Sequence, residues 1–167
     1  MAAPYRVEAS RIVDTDAATA FAWVADARTH PRWIPLTVCA ERDLGTPHVG
    51  QAFTMVSGPA VRRSRRGFTD RMVVTELDPP TVATDPSGTR RVGRTRVRKL
   101  GPVLLGESGF DVVAVDEART RLVWWEEAYL AGPWPRRANA RAVGLVLRVM
   151  LHVSLHRLAR ELRRSGG

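Results

Sequence analysis

Glu126 and Glu127 are adjacent in the alternating stretch Thr120–Leu130, so on a strand they point to opposite faces and only one can face inward. Asp70 and Glu76 share a period-2 face with Met72 and Val74. A carboxylate set among apolar walls has its pKa raised and can serve as a general acid or base. Asp70, Glu76 and Glu126 are therefore the catalytic candidates. Acid–base work needs a matched second group, and no fixed spacing supplies one. The plain reading of each is a solvated or salt-bridged carboxylate.

His152 and His156 lie four apart on the final helical stretch, a spacing that can hold a metal. The zinc-protease pattern needs Glu beside the first His, and Val153 stands there. The pair falls near the Arg side of the helix, so surface histidines are the expectation and no metal is assigned. Cys39, the single cysteine, cannot form an internal disulfide and reads as a small strand hydrophobe. No Gly-rich phosphate loop is present, and Gly106-Glu107-Ser108-Gly109 does not complete a nucleophile elbow. Hydrolase and nucleotide-enzyme readings recede, and no cofactor is expected.

The chain has 167 residues and a formal net charge of +9. That charge alone points toward nucleic acid. However, Lys99 is the only lysine among 26 basic residues, a skew typical of GC-rich coding. Two basic runs stand out: Arg62, Arg63, Arg65, Arg66, and Arg90, Arg91, Arg94, Arg96, Arg98, Lys99. Neither interleaves aromatics, so bases would lack a stacking platform. Solvated loops or strand faces are expected there, and no nucleic-acid partner. No run reaches the roughly 20 apolar residues of a membrane span, and the N-terminus lacks a signal-peptide core. The location expected is cytoplasmic, with no transmembrane segment.

The elements that must position these groups follow from periodicity. Tyr5 to Val13 alternates as a strand. Asp14-Thr15-Asp16 offers capping oxygens for a helix over Ala17 to Ala25. His30-Pro31 and Ile34-Pro35 leave room only for a short helical turn between them. Leu36–Asp43, Gln51–Ser57 and Phe68–Leu77 read as strands, the last closed by Asp78-Pro79-Pro80. Residues 81–106 alternate loosely, with a turn signal at Asp85-Pro86-Ser87-Gly88. Ser108–Asp116 and Thr120–Leu130 read as a hairpin.

Arg137 to Arg164 forms one long helix, with Val143, Val146, Leu147, Met150, Leu151, Ser154 and Leu158 on a wide apolar face. Leu145, Val149 and Val153 carry apolar surface further round. This excess would line a cavity, meet a partner chain or membrane surface, or pack as core. Strands followed by a long helix argue for an α+β architecture: a curved antiparallel sheet of about six or seven strands around the C-terminal helix.

The segment Asp26-Ala27-Arg28-Thr29-His30-Pro31-Arg32-Trp33-Ile34-Pro35 resembles the Asp…His-Pro-x-Trp-x-Pro segment of the helix-grip superfamily. That superfamily groups polyketide cyclase/dehydrase and lipid-transport proteins with START domains and birch-pollen allergens. Ser10-Arg11-Ile12-Val13, Thr75-Glu76-Leu77-Asp78-Pro79-Pro80 and 120–127 support the likeness, which covers nearly the whole chain. The resemblance implies a single ligand-binding domain over 1–167, with a hydrophobic pocket between sheet and terminal helix. Family members bind lipids, sterols or polyketides, and a minority catalyse cyclisation or dehydration.

The expected ligand-binding walls are Phe53, Met55, Met72, Val74, Phe110, Val112, Leu122 and Trp124 from strands. Val143, Leu147, Met150, Leu151 and Ser154 would come from the helix, and Trp33 from near the entrance. The alternative is that these residues fill a solid core. Three functions follow. The first is a carrier or sensor of a small hydrophobic ligand, a lipid or polyketide-like aromatic. The second is a cyclase/aromatase-type enzyme using a pocket carboxylate. The third is a homodimer or anionic-membrane contact through the outer strip of the last helix. Convergent titratable groups in the pocket would favour the enzyme, and an unbroken apolar wall the binder.

Overall fold

The computed structural model describes residues 6–64, 66–85, 88–133 and 135–166. Tyr5, Arg65 and the Pro86-Ser87 centre of the expected turn lie outside the described residues. In chain order the elements are β1 (Arg6–Val13), α1 (Ala17–Ala25), α2 (His30–Trp33), β2 (Thr37–Cys39) and β3 (Ala52–Ser57). They continue with α3 (Val61–Ser64), β4 (Phe68–Asp85), β5 (Gly88–Pro102), β6 (Leu104–Ala114), β7 (Thr120–Leu130) and α4 (Arg136–Ser165). The seven strands make one antiparallel sheet in the order β1-β7-β6-β5-β4-β3-β2.

Local chemistry sets the helices between β1 and β2. Asp16 caps α1, accepting from the Thr19 backbone N–H at 2.9 Å and its hydroxyl at 2.7 Å. Both bonds favour the charged carboxylate and hold its pKa below the usual value. Pro31 sits in the first turn of α2, where its missing N–H costs nothing. Pro35 follows the last residue of that turn by two positions and keeps α2 to four residues.

The hairpin β4–β5 is longer than the sequence pattern indicates. Asp78-Pro79-Pro80 does not end β4. The strand runs on to Asp85, with an irregularity between Asp78 and Thr81. Pairing with β3 stops at Val73, and Val74 still bonds Gly50 and Gln51; Pro79 and Pro80 lie beyond this pairing, where proline is tolerated. A second irregularity, between Val74 and Glu76, changes which residues face inward. Val74 and Leu77 pack in the core, while Glu76 turns outward toward Arg96.

α4 covers the β1/β7 end of the sheet and touches α2. Leu147, Leu151, Leu155, Leu158 and Leu162 are all buried against Val7, Val13, Val112 and Leu122. Burying each such side chain contributes about 1.5–3 kcal/mol. By length and composition α4 is apolar enough to cross a membrane, but this leucine ridge makes it a core helix. A second, smaller cluster of Ala27, Cys39, Phe53, Met55, Met72 and Val74 lies toward β2–β4.

Gly106 on β6 has φ 129°, and a Cβ there would collide with the Glu127 carbonyl of β7. Gly106→Ala is expected to destabilise the fold by about 3 kcal/mol or more, combining backbone strain with a forced separation of β6 and β7. Urea denaturation would read this directly. A loss under about 1 kcal/mol would contradict the close approach.

Candidate functional site

A cavity of about 60 Å³ opens between the two core clusters. Val24, Ala25, His30 and Ile34 wall it from the α1–α2 side. From the sheet come Phe53, Met72, Val74, Thr95, Val97, Ser108, Gly109, Phe110, Trp124 and Glu126. Phe110 and Trp124 stack at 4.9 Å, and Trp33 packs edge-on behind both at 6.1 and 5.6 Å. The volume is below the ~150 Å³ that holds benzene in an engineered apolar cavity, so a ring-sized occupant must displace side chains.

Polar groups converge on one wall. The inward side of β5 reads Thr95, Val97, Lys99, while Arg94, Arg96 and Arg98 face outward. The Lys99 side chain is only 3% exposed, with Nζ 2.6 Å from Asp70 Oδ2 and 3.5 Å from Glu126 Oε2. Glu126 is itself buried; its Oε2 is held by the Lys99 ion pair, and Asp70 Oδ1 has no hydrogen-bond partner. Burial raises the Glu126 pKa, and the Asp70 charge adds to the rise; Lys99 and the Ser108 hydroxyl pull it back. Burial alone would lower the Lys99 pKa, but the two carboxylates reverse this and raise it. The ammonium thus stays charged, and Glu126 keeps its proton to higher pH than a solvated carboxyl.

Ser108 is the cross-strand neighbour of Glu126, and its Oγ accepts a 3.1 Å bond from Trp124 Nε1. That bond fixes the Trp124 indole, two residues from Glu126 on the same strand. Across the cavity, burial pushes His30 down to about 4, against opposing pulls from the Val24 carbonyl and Asp26. Nε2 lies 3.1 Å from the Val24 carbonyl, which can only accept. The neutral ring must carry its proton there, leaving Nδ1 with a lone pair.

Of the expected walls, Phe53, Met72, Val74, Phe110 and Trp124 line this cavity. Met55 packs in the smaller cluster. Trp33, Val112, Leu122, Leu147 and Leu151 are solid core, with Val143 and Met150 against them. Ser154 is fully buried with an unpartnered hydroxyl. α4 contributes no wall residue; the helical side belongs to α1 and α2. The reason is that α4 packs on β1 and β7, whereas most of the strand wall comes from β3 to β6, with only Trp124 and Glu126 from β7.

Among the candidate carboxylates, Glu126 reaches the cavity and Asp70 stands behind it through Lys99. Glu76 is carried to the outer face by the irregularity in β4. Glu127 faces outward, 3.9 Å from Arg6. The reading of Lys99 as part of a solvated basic run is corrected, since period-2 alternation puts it in phase with Thr95 and Val97. His30, read only as a helix-breaking element of a motif, is a wall residue. The outward arginines meet carboxylates: Arg96 is 2.6 Å from Asp111, and Arg98 is 3.7 Å from Glu107.

Residues 4–163 match the family model described as polyketide cyclase / dehydrase and lipid transport. The chain belongs to that family. Among solved structures of the same fold is the Zhui aromatase/cyclase from Streptomyces sp. R1128. It is 18% identical, with TM-score 0.61 and 98% of each chain covered. A START superfamily protein from Mycobacterium smegmatis is 15% identical, with TM-score 0.55, covering 94% of this chain and 93% of that one. The di-domain aromatase/cyclase BexL, of the BE-7585A biosynthetic pathway, is 19% identical with TM-score 0.61. The match covers 92% of this chain but only 46% of BexL, so the chain spans about half of that protein. No curated protein matches the sequence significantly. At these identities the neighbours show the shared helix-grip fold, and the family itself supports a ligand-binding or cyclase/dehydrase role.

Proposed function

We propose that this family member, as one cytoplasmic domain over 1–167, takes up a small, largely apolar molecule bearing a hydroxyl or carbonyl oxygen. The apolar body lies against Phe53, Met72, Val74, Phe110 and Trp124, and Glu126 hydrogen-bonds the oxygen. The observation that carries this reading is Glu126, the one carboxylate among the cavity's lining residues, buried among apolar side chains with the Lys99 ammonium 3.5 Å from its Oε2. Apolar burial supplies the affinity at about 25 cal/mol per Å², and the polar contact sets the orientation.

p-Cresol and toluene differ by one hydroxyl and make a direct test, read by Trp fluorescence. p-Cresol is expected to bind about tenfold more tightly than toluene, the worth of one hydrogen bond to a buried polar group. Glu126→Leu should erase the difference while leaving toluene binding in place. Equal affinities in the unmodified protein would refute the role given to Glu126.

A second reading, general acid–base catalysis of the cyclase/dehydratase type, is favoured by one further observation. A carboxyl whose pKa burial raises and a neutral imidazole with an Nδ1 lone pair line the same cavity. In that case Glu126→Gln should keep p-cresol binding but abolish solvent-deuterium exchange next to the carbonyl of a bound ketone. Exchange unchanged in Glu126→Gln would leave the carrier reading alone.

A further inference from the structure

Leu145, Val146, Val149 and Val153 are 69%, 70%, 62% and 43% exposed on α4. Leu145, Val149 and Val153 are four residues apart, with Val146 beside them, so they form one ridge about 12 Å long. The ridge faces away from the buried leucine side of the same helix. Arg141 and Arg148 are exposed along one flank, and Arg160 continues the line two turns beyond Val153. Glu161 is the only acidic residue in 136–165. Among the described residues no ion pair engages Arg141, Arg148 or Arg160, whereas Arg163 and Arg164 have Asp14 and Glu161.

We infer that the outer face of α4 docks on an anionic lipid surface, with the aliphatic ridge in the acyl boundary and the arginines at the headgroups. Four large aliphatics contiguous at this exposure exceed the scattered apolar residues of an ordinary surface. Their cationic frame selects the occupant by charge. A second copy of the chain would bring its own Arg141, Arg148 and Arg160 against the first set, with no carboxylate on the face to offset them. A nucleic acid would satisfy the arginines but leave the ridge without an apolar counterpart. A bilayer of anionic lipid meets both demands, with the helix lying in the interface plane.

The test is flotation of the full chain with vesicles of phosphatidylglycerol and phosphatidylcholine, beside vesicles of phosphatidylcholine alone. Binding is expected to the anionic vesicles, weakened by added salt, and not to the neutral ones. Arg141→Gln with Arg148→Gln should lower partitioning roughly 25-fold, about fivefold per arginine. Leu145→Gln with Val149→Gln should lower it comparably while circular dichroism stays unchanged, since all four positions are exposed. The inference is overturned if anionic vesicles fail to bind at low salt, or if the Gln ridge variant binds as well as the parent. It is also overturned if light scattering finds a dimer in solution that the ridge variant dissociates.

Discussion

Lys99→Met is expected to cost about 3–5 kcal/mol of folding stability at neutral pH, the penalty for stripping a buried charge of its partner. The methionine fills a similar volume, so the loss reports charge rather than packing. It leaves Asp70 and Glu126 facing each other without the ammonium now 2.6 and 3.5 Å away. The loss should also depend on pH, with a definite sign. The folded-state pKa of Glu126 is raised above its ordinary 4.5, so folding binds a proton there. Its contribution is fully present below 4.5 and declines as pH rises through the folded value. Removing Lys99 withdraws the charge that opposes this rise, so the window widens upward. Urea denaturation across pH should show the smallest loss in acid and a growing loss toward neutrality. A loss that is small, or flat with pH, would contradict the buried triad. Adding Glu126→Gln to Lys99→Met should restore part of the stability, because one of the two uncompensated carboxylates is then gone.

Trp33→Ala is expected to destabilise by about 3–5 kcal/mol, as for a large aromatic removed from a packed core. Trp33 is fully buried. Its ring meets His30 edge-on at 4.9 Å and backs the Phe110–Trp124 stack, and its Nε1 donates to Thr29 Oγ1 at 3.2 Å. The same side chain therefore joins α2 to the cavity wall. Trp33→Phe keeps a ring and loses the N–H, and should cost about 1–2 kcal/mol. Thermal or urea unfolding of the two variants reads both effects. Trp33→Ala should also weaken p-cresol binding, because Phe110 and Trp124 lose their backing. A mild Trp33→Ala would mean that the α2 turn is not a keystone of the site.

The fold was legible because its cues are local. The Asp16 cap, the Pro31 and Pro35 limits on α2 and the alternation of β7 each act within a few residues. The His-Pro-x-Trp-x-Pro segment added the family likeness. The site was less legible because its parts meet across strands. Glu126 and Asp70 were visible as candidates, but their link runs through Lys99 on β5, which the surrounding arginines disguised. The available signal was phase: Thr95, Val97 and Lys99 alternate with Arg94, Arg96 and Arg98. Glu76 was misplaced for the converse reason. An irregularity in β4 shifts the alternation after Val74, and no residue type announces it. The α4 residues expected in the wall, such as Leu147 and Leu151, are apolar on the correct face, but which strands they cover depends on where the helix crosses the sheet.

The most direct measurement is carbon NMR of the Glu126 carboxyl across pH, with and without p-cresol. In the free protein the resonance should titrate above 4.5, and bound p-cresol should shift both its position and its midpoint. A carboxyl that titrates at the ordinary value and ignores saturating p-cresol would contradict a ligand pocket built on Glu126.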